Sequence, residues 1–478
     1  MATPKFPTFP PPGFRGTVLR AGDAGYDDAR RLPNARVGGR PALIARCTTE
    51  DDVVLAVRFC SAHGEPMAVR GGGHSLDGHA MPDGAFVIDL SLMNGVEVDP
   101  HTRRATVEAG ALIRDMDAAT QRHGLAVPSG TVSHTGVAGL TLGGGLGFLA
   151  RLHGMAVDNV ISVDVVTVYG LQLTASKTRN SDLFWGIRGA GHNLAIVTSF
   201  VFQAHPIGPA VMNGHIIYPI EAAPQILSQL HLDLQNAPRE LAMYPVLLPA
   251  PEFPGVPKAL AGTPILVFVT VYVGRLENFQ ATMDAVLPST APLANAVHAS
   301  TWTAANSMLD VLTPPGRRQH HCGGYLAALT PEIVDKAVAL VRSAPTMPTA
   351  GIAIAFPCLG GAAADADEES MAYSRANASW LYESYASYAD EGEDAVFGEW
   401  VEQGKEQLGA FSLSNSYVNL SSDDSPGWLG KVYGAQGKWE RLCRLKTEYD
   451  PENRLCYNKN ITRARLALAR GFAEMTPA

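Results

Sequence analysis

Cysteine is scarce in this chain. There are 6 in 478 residues, at Cys47, Cys60, Cys322, Cys358, Cys443 and Cys456, with no CxxC pair. That scatter excludes a disulfide scaffold and fits buried thiols in a reducing compartment. Charge is also sparse, at 17% of residues, and it is not basic: 37 Lys and Arg face 46 Asp and Glu, a formal charge of −9. This argues against a nucleic-acid partner, whose footprint would be a basic surface or stripe. Apolar runs such as Pro264 to Val273 are shorter than the ~20 residues of a membrane span. The Pro-rich start, Met1 to Phe14, has one lysine and no apolar stretch. It does not read as a signal peptide, so a cytoplasmic protein without a membrane partner is expected.

Several motifs are missing too. No GxxxxGK[ST], GxSxG or HExxH occurs, and neither Gly143-x-Gly145 nor Gly189-x-Gly191 is completed to GxGxxG. A P-loop, a serine-hydrolase elbow, a zinc protease and a Rossmann dinucleotide site are therefore disfavoured. His74 with His79, and His320-His321-Cys322, lack a recognised ligand spacing, so no metal is expected.

What the chain has in plenty is length and glycine, 47 of its residues. The length suits two or three domains, with roughly three quarters of the unfolded surface buried on folding. Over the first two hundred residues strand and helix signals alternate. Ala42–Ala45, Met67–Val69, Phe86–Leu90, Val160–Tyr169 and Ile196–Phe202 read as strands. Thr48 reads as the cap of a helix running to Gly64, and Ile113–His123 as another helix. Beyond Pro206 the strands have mixed polarity (Gly214–Tyr218, Pro264–Val273, Ile352–Phe356) and alternate with helical stretches at Ala222–Leu234 and Pro331–Ser343. Ser370–Ala389, rich in tyrosine, also reads as helical, as does Gly437–Asp450.

Glycine gathers in three clusters. Arg70-Gly-Gly-Gly-His-Ser75 directly follows a strand signal, and such a turn leaves backbone N–H groups bare to form an anion nest. Gly136-Val-Ala-Gly-Leu-Thr-Leu-Gly-Gly-Gly-Leu-Gly147 is denser still. Each glycine inside a helix costs about 1 kcal/mol, so such density points to close approach of the backbone to something flat or charged. Trp185-Gly-Ile-Arg-Gly-Ala-Gly-His-Asn193 leads into the strand at Ile196 and is weaker alone.

Together these residues resemble the vanillyl-alcohol-oxidase-type FAD proteins, in particular the berberine-bridge-enzyme-like oxidases and their bacterial-type members. Arg70–Ser75 looks like the flavin-attachment loop. Gly139–Gly147 with Gly154-Met-Ala-Val-Asp-Asn159 looks like the long flavin-binding segment. Asp182–Asn193 with Val197-Thr-Ser-Phe200, Tyr449-Asp-Pro-Glu-Asn453 and Asn458-Lys-Asn-Ile461 match later blocks.

The resemblance implies an α+β protein. A PCMH-type FAD-binding domain would comprise residues 1–205 and 431–478. A substrate domain, 206–430, would carry an antiparallel sheet with covering helices. FAD would be linked covalently through His74 alone. Its contacts would come from Arg70, Gly71, Gly72, Gly73, Ser75, His79, Gly130, Thr131, His134, Thr135, Gly136, Gly139, Gly143, Gly144, Gly147, Asp158, Asn159, Asn193, Ile196, Val197, Tyr457, Asn458 and Asn460. Dioxygen would be the electron acceptor, giving hydrogen peroxide, and the substrate a small molecule.

Two departures from the family bear on chemistry. Many members carry a second linkage through a cysteine, whose place is taken here as Val157. A catalytic Tyr in a Tyr-x-Asn-Tyr strand is replaced in Tyr417-Val-Asn-Leu420. Alternation on a strand would set Val418 and Leu420 on one apolar, substrate-facing side. Alcohol oxidation needs a base for the hydroxyl proton. The substrate expected is therefore a hydrophobic aromatic or heterocyclic amine, phenol or natural-product intermediate, with the base unidentified. The alternatives are a sugar or alcohol oxidase with a relocated base, an oxygenase, or a cyclase.

Overall fold

The computed structural model describes residues 5–252, 255–346, 350–423 and 425–462. The end of the expected return segment, 463–478, lies outside them. Short β-rich runs in the first half build two sheets. One is four-stranded, in the order Thr17–Leu19, Leu43–Arg46, Phe86–Asp89, Met67–Arg70. Its last three strands are parallel, and the helix Glu50–Ala62 lies between two of them in sequence. The other is five-stranded and antiparallel, in the order Val96–Asp99, Arg104–Glu108, Ile196–Gln203, Val160–Val166, Gln172–Ser176. Their buried faces share one core, which includes Phe86, Val107, Val163 and Phe200.

From Ala210 to Tyr388 the chain builds an eight-stranded antiparallel sheet. The helices Ala223–Asn236, Pro331–Arg342 and Asp394–Gly409 cover one face and share its core, through residues such as Leu227, Val334 and Phe397. The opposite face is left for the glycine loops. The last helix, Gln436–Tyr449, returns to the first half, where Leu442 and Leu445 close over Gly186. Beyond it, Asn193 accepts from Ile461 N at 3.0 Å and donates to Lys459 O at 3.1 Å, stitching the C-terminal segment down. Among the described residues, no helix is long and apolar enough to cross a membrane.

The α+β expectation holds, but three local readings are corrected. The stretch Ser370–Ala389 holds the strand Trp380–Tyr388, not a helix. Tyr382, Tyr385 and Tyr388 imitate a helical period, yet aromatic residues favour a pleated surface, and neighbours on both sides complete the ladder. The helix cap is Thr49, which accepts from Asp52 N, while Thr48 Oγ1 donates to the Asp52 carboxylate at 2.8 Å. Residues Val418–Leu420 form a single 3₁₀ turn instead of a strand. Side-chain bonds to the second glycine cluster bend the chain there: Asn419 Nδ2 donates to Leu140 O, and Tyr417 OH accepts from Leu146 N.

Burial also sets a pH dependence. It holds the imidazoles of His192, His205 and His320 down to about 4. Unfolded histidine titrates near 6.5, so between these values the unfolded chain binds more protons and stability rises with pH. Asp117 works the other way, because burial pushes its carboxyl up to about 6. With the histidines outnumbering it, the thermal midpoint is expected to fall steadily from pH 6.5 to pH 4. A calorimetric midpoint that stays flat or rises over that window contradicts this assignment.

Candidate active site

The strand Met67–Arg70 ends in Gly71-Gly72-Gly73, and Gly73 has φ 76°, a left-handed conformation open to glycine. A Cβ on Gly72 would overlap the Gly136 backbone nitrogen, and one on Gly136 would overlap Gly72 N. The first two glycine clusters therefore meet backbone to backbone. His74 leaves this junction with its Nε2 2.9 Å from His134 Nδ1. Burial, and then the neighbouring His134, push the His74 imidazole down to about 3, so it is neutral at physiological pH.

The glycine loops and the open face of the eight-stranded sheet enclose a cavity of about 440 Å³. A second space of about 120 Å³ adjoins it and shares Val69, Gly71, Gly139, His192, Tyr457 and Asn458 with it. Of the residues expected to bind a cofactor, Gly71, Gly72, Gly73, His74, Ser75, His79, Gly130, Thr131, Thr135, Gly136, Gly139, Tyr457 and Asn458 line the larger cavity. Ile196 and Val197 line the smaller one. Val418 and Leu420 line the larger cavity as expected, but so do Tyr417 and Asn419, because the turn does not alternate.

Other expected residues are held elsewhere. Arg70 donates to Ala29 O and lies 3.7 Å from Asp89 Oδ2. Asp158 pairs with Arg375 at 2.7 Å, and Asn159 bonds His205 at 2.7 Å. Cβ atoms on Gly143, Gly144 and Gly147 would strike Asn419, Tyr373 and the Ser129 carbonyl. These glycines answer to close packing within the protein. His134, Asn193 and Asn460 line neither cavity. Val157 is wholly buried among Leu146, Met155 and Tyr325, so a cysteine at that position would not face the cavity. Val132 does line it, and no cysteine does among the described residues.

The sheet supplies what sequence reading missed. Strand Arg318–Leu326 pairs with Trp380–Tyr388 so that His321 lies opposite Tyr385 and Gly323 opposite Glu383. Diagonal neighbours on one face then meet: His321 Nδ1 is 3.0 Å from Glu383 Oε1. Gln319 Oε1 is 3.4 Å from His321 Nε2, and Tyr385 packs against the imidazole at 4.5 Å between ring centres. All four line the cavity, amid Val246, Val269, Ala353, Ala355 and Leu381. A carboxylate bonded to an imidazole in an apolar wall is an arrangement able to accept a proton.

Gly139 tests whether a flat, charged cofactor fits. It sits inside the helix Val137–Leu142, lines both cavities, and has nothing within 4 Å of where a Cβ would be. The cradle is thus one that a methyl group would begin to fill.

Comparison with known proteins bears on the fold and the domain families. An FAD binding domain family matches residues 41–176, and a berberine and berberine-like family matches residues 416–462. (R)-6-hydroxynicotine oxidase of Paenarthrobacter nicotinovorans is 28% identical over 478 residues, covering 94% of this chain and 97% of that protein. Xylooligosaccharide oxidase of Thermothelomyces thermophilus is 39% identical over 189 residues, 39% of this chain and 38% of that one. The crystal structure of 6-hydroxy-D-nicotine oxidase from Arthrobacter nicotinovorans superposes with a TM-score of 0.83 at 24% identity, covering 94% of this chain and 98% of that one. The fold is that of the PCMH-type FAD-binding oxidases.

Two glycine substitutions separate the roles of the loops. Gly72→Ala forces the two loops apart and is expected to cost about 1–3 kcal/mol as well as FAD binding. Gly139→Ala gains up to about 1 kcal/mol of helix propensity and is expected to keep the melting temperature while weakening FAD binding. Unchanged FAD content in Gly139→Ala protein contradicts this placement of the cofactor.

Proposed function

We propose, from the FAD binding and berberine-like families that match parts of the chain and from its likeness to FAD-linked oxidoreductases, an oxidase that takes a hydride from a small hydrophobic aromatic or heterocyclic amine, phenol or natural-product intermediate. We divide it into an FAD-binding domain, 1–205 with 431–478, and a substrate domain, 206–430. Glycine-loop N–H groups around Gly71–Gly73 and Gly136–Gly139 would carry the diphosphate charge, and Tyr457, Asn458, Ile196 and Val197 would close over the part of the cofactor in the smaller cavity. His74 would hold FAD by a single covalent bond: its ring is neutral, its Nε2 lies beside His134 Nδ1, and Nδ1 would be the nucleophile. When bound, FAD supplies the two-electron acceptor, and dioxygen would complete the cycle as hydrogen peroxide forms.

The observation that carries this reading is the His321–Glu383 pair, set in an apolar wall of the cavity that His74 also lines. Glu383 would take the proton from a phenol or ammonium group, with His321 donating to hold the carboxylate in place. The surrounding Val246, Val269, Leu381 and Leu420 would pack on the ring and exclude water. Tyr417 would stay a structural group, since its hydroxyl already accepts from Leu146 N and Asn419 Nδ2.

Two outcomes are expected. Acid-precipitated protein should stay yellow, and His74→Ala protein should release its flavin to the supernatant. Free flavin from the unmutated protein, or an adduct on a cysteine, contradicts the single histidine link. With a substrate in hand, Glu383→Gln should slow flavin reduction by the 10²–10⁴-fold typical of a lost acid–base group. Tyr417→Phe should change it by less than about tenfold, the scale of ~1.4 kcal/mol. The reverse ranking would move the base to Tyr417.

A further inference from the structure

His74 is neutral and buried, which makes it a nucleophile but creates a difficulty. If its free nitrogen forms a bond to carbon while Nε2 keeps its proton, the ring becomes a cation. The surroundings that depress its basicity penalise that charge equally. Attachment therefore needs a group that removes the Nε2 proton as the bond forms.

His74 Nε2 lies 2.9 Å from His134 Nδ1, with the rings 4.9 Å apart and inclined at 32°, and with the proton on His74 Nε2, His134 is the acceptor. His134 sits in the turn Val132–Thr135, where Thr135 N bonds Val132 O and Arg114 N bonds Ser133 O. The residue before it is gripped from the other half of the chain. Ser133 N and Oγ donate to the two Asp310 carboxylate oxygens at 2.7 and 2.5 Å. Burial lowers the basicity of His134, the Asp310 carboxylate and the Thr313 backbone oppose that, and Arg114 adds to it. Asp310 belongs to the short 3₁₀ turn Asp310–Leu312, and its neighbours Leu309, Leu312 and Thr313 line the cavity.

We propose that His134 is the base that receives the His74 Nε2 proton during covalent attachment, and that Asp310 is a positioning residue that holds the His134 turn and offsets the charge it acquires. The inference rests on the reading that His74 is the point of attachment. In the overall exchange, a C–H bond of the cofactor's 8α-methyl group is replaced by a C–N bond to His74. The methyl proton and the His74 N–H proton are released. The electron pair of the broken C–H bond passes to the flavin and leaves it, with two protons, to dioxygen as hydrogen peroxide. His134 handles the imidazole proton only, one of the two that the peroxide finally carries.

The test follows attachment itself and needs no substrate. Protein from riboflavin-starved cells is mixed with FAD, and the covalent fraction is read by acid precipitation over time. Total FAD uptake, measured by gel filtration, reports folding of each variant. His134→Gly is expected to take up FAD but attach it at least about tenfold more slowly, with added imidazole restoring the rate. Asp310→Asn, which keeps the shape of the side chain, is expected to slow attachment by a smaller factor with uptake unchanged. Attachment by His134→Gly at the parent rate, or slow attachment that imidazole does not rescue, overturns the proposal while leaving His74 as the link. Failure of the unmutated protein to attach FAD overturns the link as well.

Discussion

Everything at the site depends on two backbone segments touching where neither has a side chain. Gly72 and Gly136 lie so close that a Cβ on either would occupy the other's nitrogen. The contact joins the end of the parallel sheet to the start of the helix Val137–Leu142, and both cavities open along it. Glycine gives up conformational entropy and side-chain packing at such positions. The return is a floor of bare amide groups that a diphosphate can approach, with His74 fixed one residue past the turn.

The roof must keep its place over that floor, and buried polar contacts between the two halves hold it. Arg151, almost fully buried, donates to the carbonyls of Leu234, Ala237, Pro238 and Leu241, around the C-terminal end of the helix Ala223–Asn236. Asp117 accepts from Trp302 Nε1 at 3.0 Å and from Asn306 Nδ2 at 2.7 Å, tying the helix Ile113–Gln121 to the sheet half. Asp310 grips Ser133 at the rim. Removing one partner of such a buried contact leaves the other desolvated and unpaired, which costs more than the contact contributes when whole. The distance between His74 and the His321–Glu383 wall is thus maintained by groups outside the cavity.

The floor of this site was legible in the sequence and its roof was not. Glycine clusters, the histidine after them and the Asn458–Ile461 signature are local patterns, and all three carry residues that line a cavity. His321 and Glu383 are 62 residues apart, and only the register of two strands makes them neighbours. No local pattern reports register, so His321 was visible only as a histidine without ligand spacing. The tyrosines of Trp380–Tyr388 misled because a three-residue spacing satisfies a helix pattern as readily as chance spacing on a strand. Gly143, Gly144 and Gly147 misled differently. A missing side chain looks alike in sequence whether a cofactor or Tyr373 fills the space. Val157 was assigned from motif likeness alone, and the fold turns it away from the cavity.

The most direct measurement of the central claim is stopped-flow absorbance of the bound flavin, mixed without oxygen against matched panels of aromatic amines, phenols, oligosaccharides and simple alcohols. An apolar wall carrying one carboxylate–imidazole pair predicts fast bleaching by members of the first two panels. Readmitted oxygen should then restore the colour and yield one hydrogen peroxide per flavin. Fast bleaching by an oligosaccharide, with none by any aromatic amine or phenol, would contradict the account.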